Sequence, residues 1–216
     1  MTNPAIDELQ ESGRYELVYQ LEHHQVKEFV LKQITSGSRI VRWFMIYQFL
    51  MIVAGLFFIT RSIVLAFAGN LLPLYYTLGA VVFSFTFLIL IHELLHALAF
   101  KITGAPRVAV GAYLKKFIFY AEADRHVLNR KQFTLVALTP LLAVKLATLA
   151  AVIVTAGQPA VYFWIFIMCA HSLFCAGDIG MLDYFYSFKD AELYTFDVRK
   201  EKKSFFYRKK QIASED

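Results

Sequence analysis

Four long apolar runs dominate the chain, and polar, mostly basic stretches separate them. The runs cover about residues 41–63, 72–100, 133–156 and 160–176. A helix rises ~1.5 Å per residue and the hydrocarbon layer is ~30 Å thick, so about 20 apolar residues make a crossing. The pattern therefore predicts a mostly α, polytopic membrane protein with four transmembrane helices inside a core over residues 41–185. The second run exceeds what a crossing needs, so one of its ends reaches past the hydrocarbon. Thr139-Pro140 predicts a kink in the third run, and Gly157-Gln158-Pro159 predicts a tight turn before the fourth.

The polar stretches carry weaker patterns. Residues 1–40 read as a head, with a short strand over 15–21 and a helix over 25–34, where Val26, Phe29, Val30 and Ile34 recur at helical spacing. Residues 107–113 and 117–121 are β-rich and meet near Lys115-Lys116. They predict either a small β-hairpin after the second helix or a simple interfacial loop. Residues 186–216 read as a basic tail. Its Phe205-Phe206-Tyr207, set among lysines and arginines, predicts a segment that lies on anionic lipid or is simply solvated.

Composition sharpens the class. Of 216 residues, 58% are hydrophobic and only 18% charged, whereas a soluble domain is about half apolar and a quarter charged. The formal charge of +5 could suggest nucleic acid, but the basic residues flank apolar runs and no nucleic-acid motif accompanies them. Topology and anionic lipid account for them instead. The head, the 101–132 loop and the tail are all basic, whereas the other two connections hold only Arg61. The positive-inside rule then places both termini, the head and the tail in the cytosol. The polar N-terminal stretch predicts no cleavable signal peptide. Cys169 and Cys175 both fall in apolar sequence and predict buried thiols rather than a disulfide framework.

The chemistry concentrates in the second run, at His92-Glu93-Leu94-Leu95-His96. Residues four apart share a helix face, so His92 and His96 can offer two imidazole nitrogens to one Zn²⁺. Glu93 can then act as general base on a zinc-bound water. A glutamate and two histidines inside a membrane helix are costly, which favours a functional reading over a polar packing cluster.

A catalytic zinc site needs a third protein ligand. The candidates are Asp178, His171, Asp183, Glu122, Asp124 and His126. Depth discriminates among them: His92 and Asp178 each lie about 18 residues from the same membrane face, while His171 is displaced by roughly 10 Å. Asp178 is thus the expected ligand, and Gly177 and Gly180 are expected to break the helix and turn its carboxylate inward. His171, about two turns before Asp178 on the same face, is a possible auxiliary donor toward substrate. Lys145, in the third run, requires a partner or water.

These residues carry a resemblance. His92-Glu93-Leu94-Leu95-His96-Ala97-Leu98, Gly104 and the later Gly177-Asp178 together resemble the DUF3267 zincin peptidases, small bacterial membrane proteins related to the site-2 protease (M50-like) intramembrane metalloproteases. The resemblance covers roughly residues 85–185. It implies a bacterial cell-membrane location, a Zn²⁺ cofactor, Asp178 as third ligand, and His171 near the place of that clan's auxiliary Asn. In this chain Ala176-Gly177-Asp178-Ile179 replaces the clan's Leu-Asp-Gly, with no Asn-Pro pattern before it. The clan's substrate-docking β-element corresponds in position to 107–121.

The expected function is a zinc-dependent membrane metallopeptidase. It would cut a membrane protein or peptide substrate in or next to the bilayer near the cytosolic face. The alternative is a non-catalytic membrane protein that uses the metal site structurally or to bind a partner helix. A metal-handling role lacks the Cys/His/Met-rich path it would need. No nucleic acid partner is expected, and oligomeric state is not legible.

Overall fold

The computed structural model describes residues 3–113, 118–188 and 191–210. It is mostly helical and polytopic. Three helices are long and apolar enough to cross a membrane: Arg39–Phe67 (α3), Leu72–Ile102 and Arg130–Val154 (α6). Val161–Phe174 (α7) and Ala176–Ser187 (α8), bent by 43° where they join, are together long and apolar enough for a fourth crossing if the pair is one broken span. At ~1.5 Å per residue, α7 alone falls well short of ~30 Å. The outward faces of these helices expose large apolar side chains such as Trp43, Phe49, Leu56 and Leu146, as lipid-facing surfaces do.

The second crossing is built in three pieces: Leu72–Phe83 (α4), a π-helical turn over Ser84–Leu88, and Ile89–Ile102 (α5). A π turn inserts one residue into the helical register and rotates everything beyond it. It thereby sets the face on which the buried His92, Glu93 and His96 emerge. The lost intrahelical pairing is partly covered by Ser84 and Thr86, whose hydroxyls donate to the carbonyls of Ala80 and Val82, both at 2.8 Å.

Helix α7 is the hub, packed by α3, α4 and α6. Gly55 on α3 lets the two backbones approach, since a Cβ there would stand 3.3 Å from Cys169 Cβ. This is the small-residue packing expected where no hydrophobic effect drives helices together. Lys145 reaches from α6 across α7. Its ammonium donates to the Met168 carbonyl at 2.9 Å and stands 5.0 Å from the Tyr47 ring centroid, which supplies the partner that its charge requires.

The break near Asp178 falls at Cys175, not at the glycines where it was expected. Gly180 serves close packing instead: a Cβ there would meet Val30 Cγ1 of helix α2 (Val26–Thr35) at 3.1 Å. Gly177 has open space around it and lines a cavity.

The tail departs most from expectation. Strand β1 (Tyr15–Glu22) and helix α2 form as the spacing predicts. The tail's aromatic triplet, however, is enclosed in a sheet. Leu193–Val198 (β5) and Lys203–Lys209 (β6) make a hairpin whose β6 pairs antiparallel with β1. With the short β4 (Leu128–Asn129) they give a four-stranded sheet, β1-β6-β5-β4. Phe205, Phe206 and Tyr207 are buried in it. Phe205 and Tyr207 pack with Leu9 of helix α1 (Ile6–Glu11) on one face. Phe206 packs on the other face with Leu21, Phe29 and Phe185. An aromatic triplet buried on both sides of a sheet has no lipid-facing side to offer. The expected hairpin after α5 is present as β2 (Ala109–Tyr113) and β3 (Ile118–Glu122). Its turn at Lys115-Lys116 lies outside the described residues.

Candidate metal centre

His92 and His96 emerge one turn apart from α5, and Asp178 reaches them from the first turn of α8. His92 Nε2 and His96 Nε2 stand 3.1 Å apart. The Asp178 carboxylate oxygens lie 3.4 Å from His92 Nε2 and 3.1 Å from His96 Nε2. A tetrahedral Zn²⁺ with ligands at about 2.0–2.1 Å holds them about 3.3 Å apart. The three atoms thus already have the spacing of one face of a zinc tetrahedron.

The outer hydrogen bonds fix which nitrogen each imidazole presents. His96 Nδ1 faces the Val136 carbonyl at 3.0 Å. A carbonyl only accepts, so Nδ1 carries the proton and Nε2 of the neutral ring is bare. That carbonyl is available because of Pro140. Residue 140 would normally donate its N–H to the carbonyl of residue 136, and proline has none. Helix α6 continues through Pro140, and the orphaned acceptor is used by His96.

His92 Nδ1 faces His171 Nε2 at 3.1 Å. Cys175 donates its S–H to the His171 carbonyl at 3.4 Å, and its Sγ lies 3.7 Å from His171 Nδ1. A consistent network puts the proton of His171 on Nδ1 and that of His92 on Nδ1, leaving His92 Nε2 bare as well. Two bare nitrogens and a carboxylate then converge on one point. Apart from these imidazoles no donor reaches the buried Asp178 Oδ2 among the described residues. Such a convergence of lone pairs is unfavourable unless a cation occupies it, and the donor set suits Zn²⁺.

Glu93 is buried on the same helix, and the backbone N–H of Ala121 on β3 faces its carboxylate. Strand β3 of the hairpin packs on α5. Glu93, His92, His96 and Asp178 line a cavity of about 340 Å³. Its walls include several aromatic side chains, among them Phe100, Phe119, Phe133 and Phe174.

The other ligand candidates are engaged elsewhere. His171 faces His92 Nδ1 with one ring nitrogen and Cys175 Sγ with the other. A second triad, His92 Nδ1, His171 and Cys175, also falls within metal-binding reach, but its contacts are satisfied as a hydrogen-bonded chain. Asp183 is buried and accepts from Ser38 and Ser36, at the N-terminus of α3. Glu122 pairs with Arg199 at 2.7 Å. Burial pushes the Glu122 carboxyl above its usual range, with the Arg199 guanidinium opposing. Asp124 accepts the Arg199 backbone N–H at 2.9 Å. His126 Nε2 is 3.1 Å from Thr103 Oγ1, and burial lowers its pKa.

Sequence reasoning missed the Val136 carbonyl, the Ala121 N–H and the His171–His92 contact. Only the first left a local signal: a proline four residues after a buried position frees that position's carbonyl.

Comparison with known families gives one match. The family model DUF3267, described as "Putative zincin peptidase", covers residues 85–193, half of the chain. No curated protein matches, and no solved structure matches.

Proposed function

The chain belongs to this zincin peptidase family, and on that premise we propose that it is a zinc-dependent membrane metallopeptidase. It hydrolyses a peptide bond in or next to the bilayer, near the cytosolic face. The observation that carries the reading is the convergence of His92 Nε2, His96 Nε2 and the Asp178 carboxylate at zinc-ligand spacing beside Glu93, within membrane-crossing helices.

Bound Zn²⁺ would act as a Lewis acid, bringing the pKa of a water toward neutrality and polarising the scissile carbonyl. The chain's own residues do the rest. Glu93, with the Ala121 N–H facing its carboxylate, takes the proton from the attacking water and delivers it to the leaving amine. His96 is kept in the ligating tautomer by the Val136 carbonyl, and His92 by His171. The aromatic walls exclude bulk water and receive an apolar peptide segment. The β2–β3 hairpin, whose β3 packs on α5, is placed to bind that segment extended, by strand addition. The basic head, loop and tail support a cytosolic location for both termini and for the sheet.

A second reading has one observation in its favour. The packing of β3 on α5, with the Ala121 N–H facing Glu93, would also serve a non-catalytic clasp between α5 and the hairpin. Purified wild type, Glu93→Gln and His96→Ala, each assayed for zinc and for cleavage of a model membrane peptide, separate the two. Peptidase action requires that Glu93→Gln keep its zinc and lose activity by about 10²–10⁴-fold, while His96→Ala loses both. Wild-type cleavage by both variants sinks it.

A further inference from the structure

The cavity above the candidate metal centre does not end among the membrane helices. It continues to the four-stranded sheet, where Thr195, Asp197 and Ser204 line it. Side chains alternate along a strand. On β5, Tyr194, Phe196 and Val198 pack toward α1, so Thr195 and Asp197 take the opposite face, which looks back at α2, α8 and the metal. Ser204 is the cross-strand neighbour of Asp197, and its hydroxyl stands beside that carboxylate.

The charges on the cavity wall are one-sided. Glu93, Asp178 and Asp197 line it, and no Lys or Arg does among the described residues. Glu93 and Asp178 belong to the metal centre, but Asp197 has no such role. The cations around it are committed or weak. Arg199 pairs with Glu122 at 2.7 Å, and the Arg125 contact is a backbone N–H that donates to the Asp197 carbonyl at 2.8 Å. His23 is the basic side chain that acts on its carboxyl. Burial pushes that carboxyl above its usual range, and nearby Asp124 adds to the rise. A partly buried acid on this wall, with a hydroxyl beside it and no Lys or Arg lining the cavity among the described residues, is the environment a substrate ammonium or guanidinium would complete.

We infer that Asp197, with Thr195 and Ser204 beside it, forms a subsite for a Lys or Arg side chain of the peptide whose scissile bond lies at His92, His96 and Asp178. This inference rests on the peptidase reading and names its substrate class: apolar segments with a basic residue on the sheet side of the cut. Membrane segments commonly carry such flanking residues, so the subsite would select a membrane-embedded peptide in one orientation. Charge recognition adds register, because a fixed cation position fixes which bond reaches the metal.

The test uses synthetic peptides with one apolar run, identical except for Lys or norleucine at one of the first few positions beyond the run. Binding is measured by fluorescence anisotropy on zinc-loaded Glu93→Gln protein in detergent, and cleavage on wild type. At the best position the Lys peptide is expected to bind at least about tenfold more tightly than the norleucine peptide. The Lys:norleucine ratio should fall to near one when Asp197→Asn is added, and recover with Asp197→Glu. A ratio on one protein is insensitive to partial misfolding. Equal binding of the two peptides at every position overturns the inference, as does a preference that survives Asp197→Asn. If wild type cleaves both peptides without preference, the subsite fails and the peptidase reading stands. If the binding preference holds but wild type cleaves neither peptide, the peptidase reading fails and the subsite stands as a binding site.

Discussion

Replacing Pro140 with alanine should weaken zinc binding while making the helix that carries it more stable. The new backbone N–H at position 140 would reach the Val136 carbonyl through the ordinary helical bond. It would compete with His96 Nδ1, which now contacts that carbonyl at 3.0 Å. Loss of an outer partner of a ligating histidine costs about 10–100-fold in metal affinity, or about 1.4–2.7 kcal/mol. A carbonyl has two lone pairs and can be shared, so the effect should lie near the lower bound. The backbone effect has the opposite sign. Proline inside a helix is less favourable than alanine by up to ~3 kcal/mol, so the metal-free variant should melt no lower than wild type. Competition against a chromogenic zinc chelator gives the affinity, and thermal unfolding of the metal-free protein gives the stability. Unchanged zinc affinity would refute the link from Pro140 through Val136 to His96. Weakened affinity together with a lower melting temperature would assign the effect to disruption of α6 instead.

Other substitutions test other parts of the structure. His171→Ala should lower zinc affinity by about tenfold or more, and His171→Gln should recover part of it by again accepting from His92 Nδ1, both read by chelator competition. Asp178→Asn should deplete bound zinc, whereas Asp183→Asn should keep zinc and lower the melting temperature, because Asp183 ties Ser36 and Ser38 to α8. Gly180→Ala places a Cβ 3.1 Å from Val30 Cγ1 and should cost roughly 1–3 kcal/mol. Gly177→Ala meets nothing within 4 Å and should be neutral or stabilising by up to ~1 kcal/mol. Melting temperatures of the two glycine variants, measured side by side, must differ in that order.

The features legible in the sequence are those that depend on local order. Apolar run lengths gave the spanning helices, and the i, i+4 spacing put His92 and His96 on one face. A count of residues from a common membrane face was enough to bring Asp178 level with His92 and His96, because helical rise converts sequence separation into depth. Features that depend on distant pairing were not legible. Strand β6 joins β1 across almost the whole chain, and nothing near Phe205-Phe206-Tyr207 announces that partner. Among lysines and arginines the triplet resembles a lipid-binding tail, yet its alternation places Phe206 opposite Phe205 and Tyr207 in a sheet buried on both sides. The break at Cys175 was misplaced for a related reason. Glycine composition pointed to Gly177 and Gly180, but the close approach of α2 accounts for Gly180, and the cavity beside Asp178 accounts for Gly177. The proposed role of Asp197 depends on the same long-range sheet, which places it on the wall of a cavity shared with His92, Glu93 and His96, more than a hundred residues earlier in the chain.

The most direct measurement is zinc-edge X-ray absorption on the zinc-loaded protein. Ligation by His92, His96 and Asp178 predicts a shell of nitrogen and oxygen atoms alone, at about 2.0–2.1 Å, that is lost in Asp178→Asn and retained in Cys175→Ser. A sulfur scatterer at about 2.3 Å that disappears in Cys175→Ser would instead place the metal among His92, His171 and Cys175. It would contradict the assignment of Glu93 as the base beside the zinc.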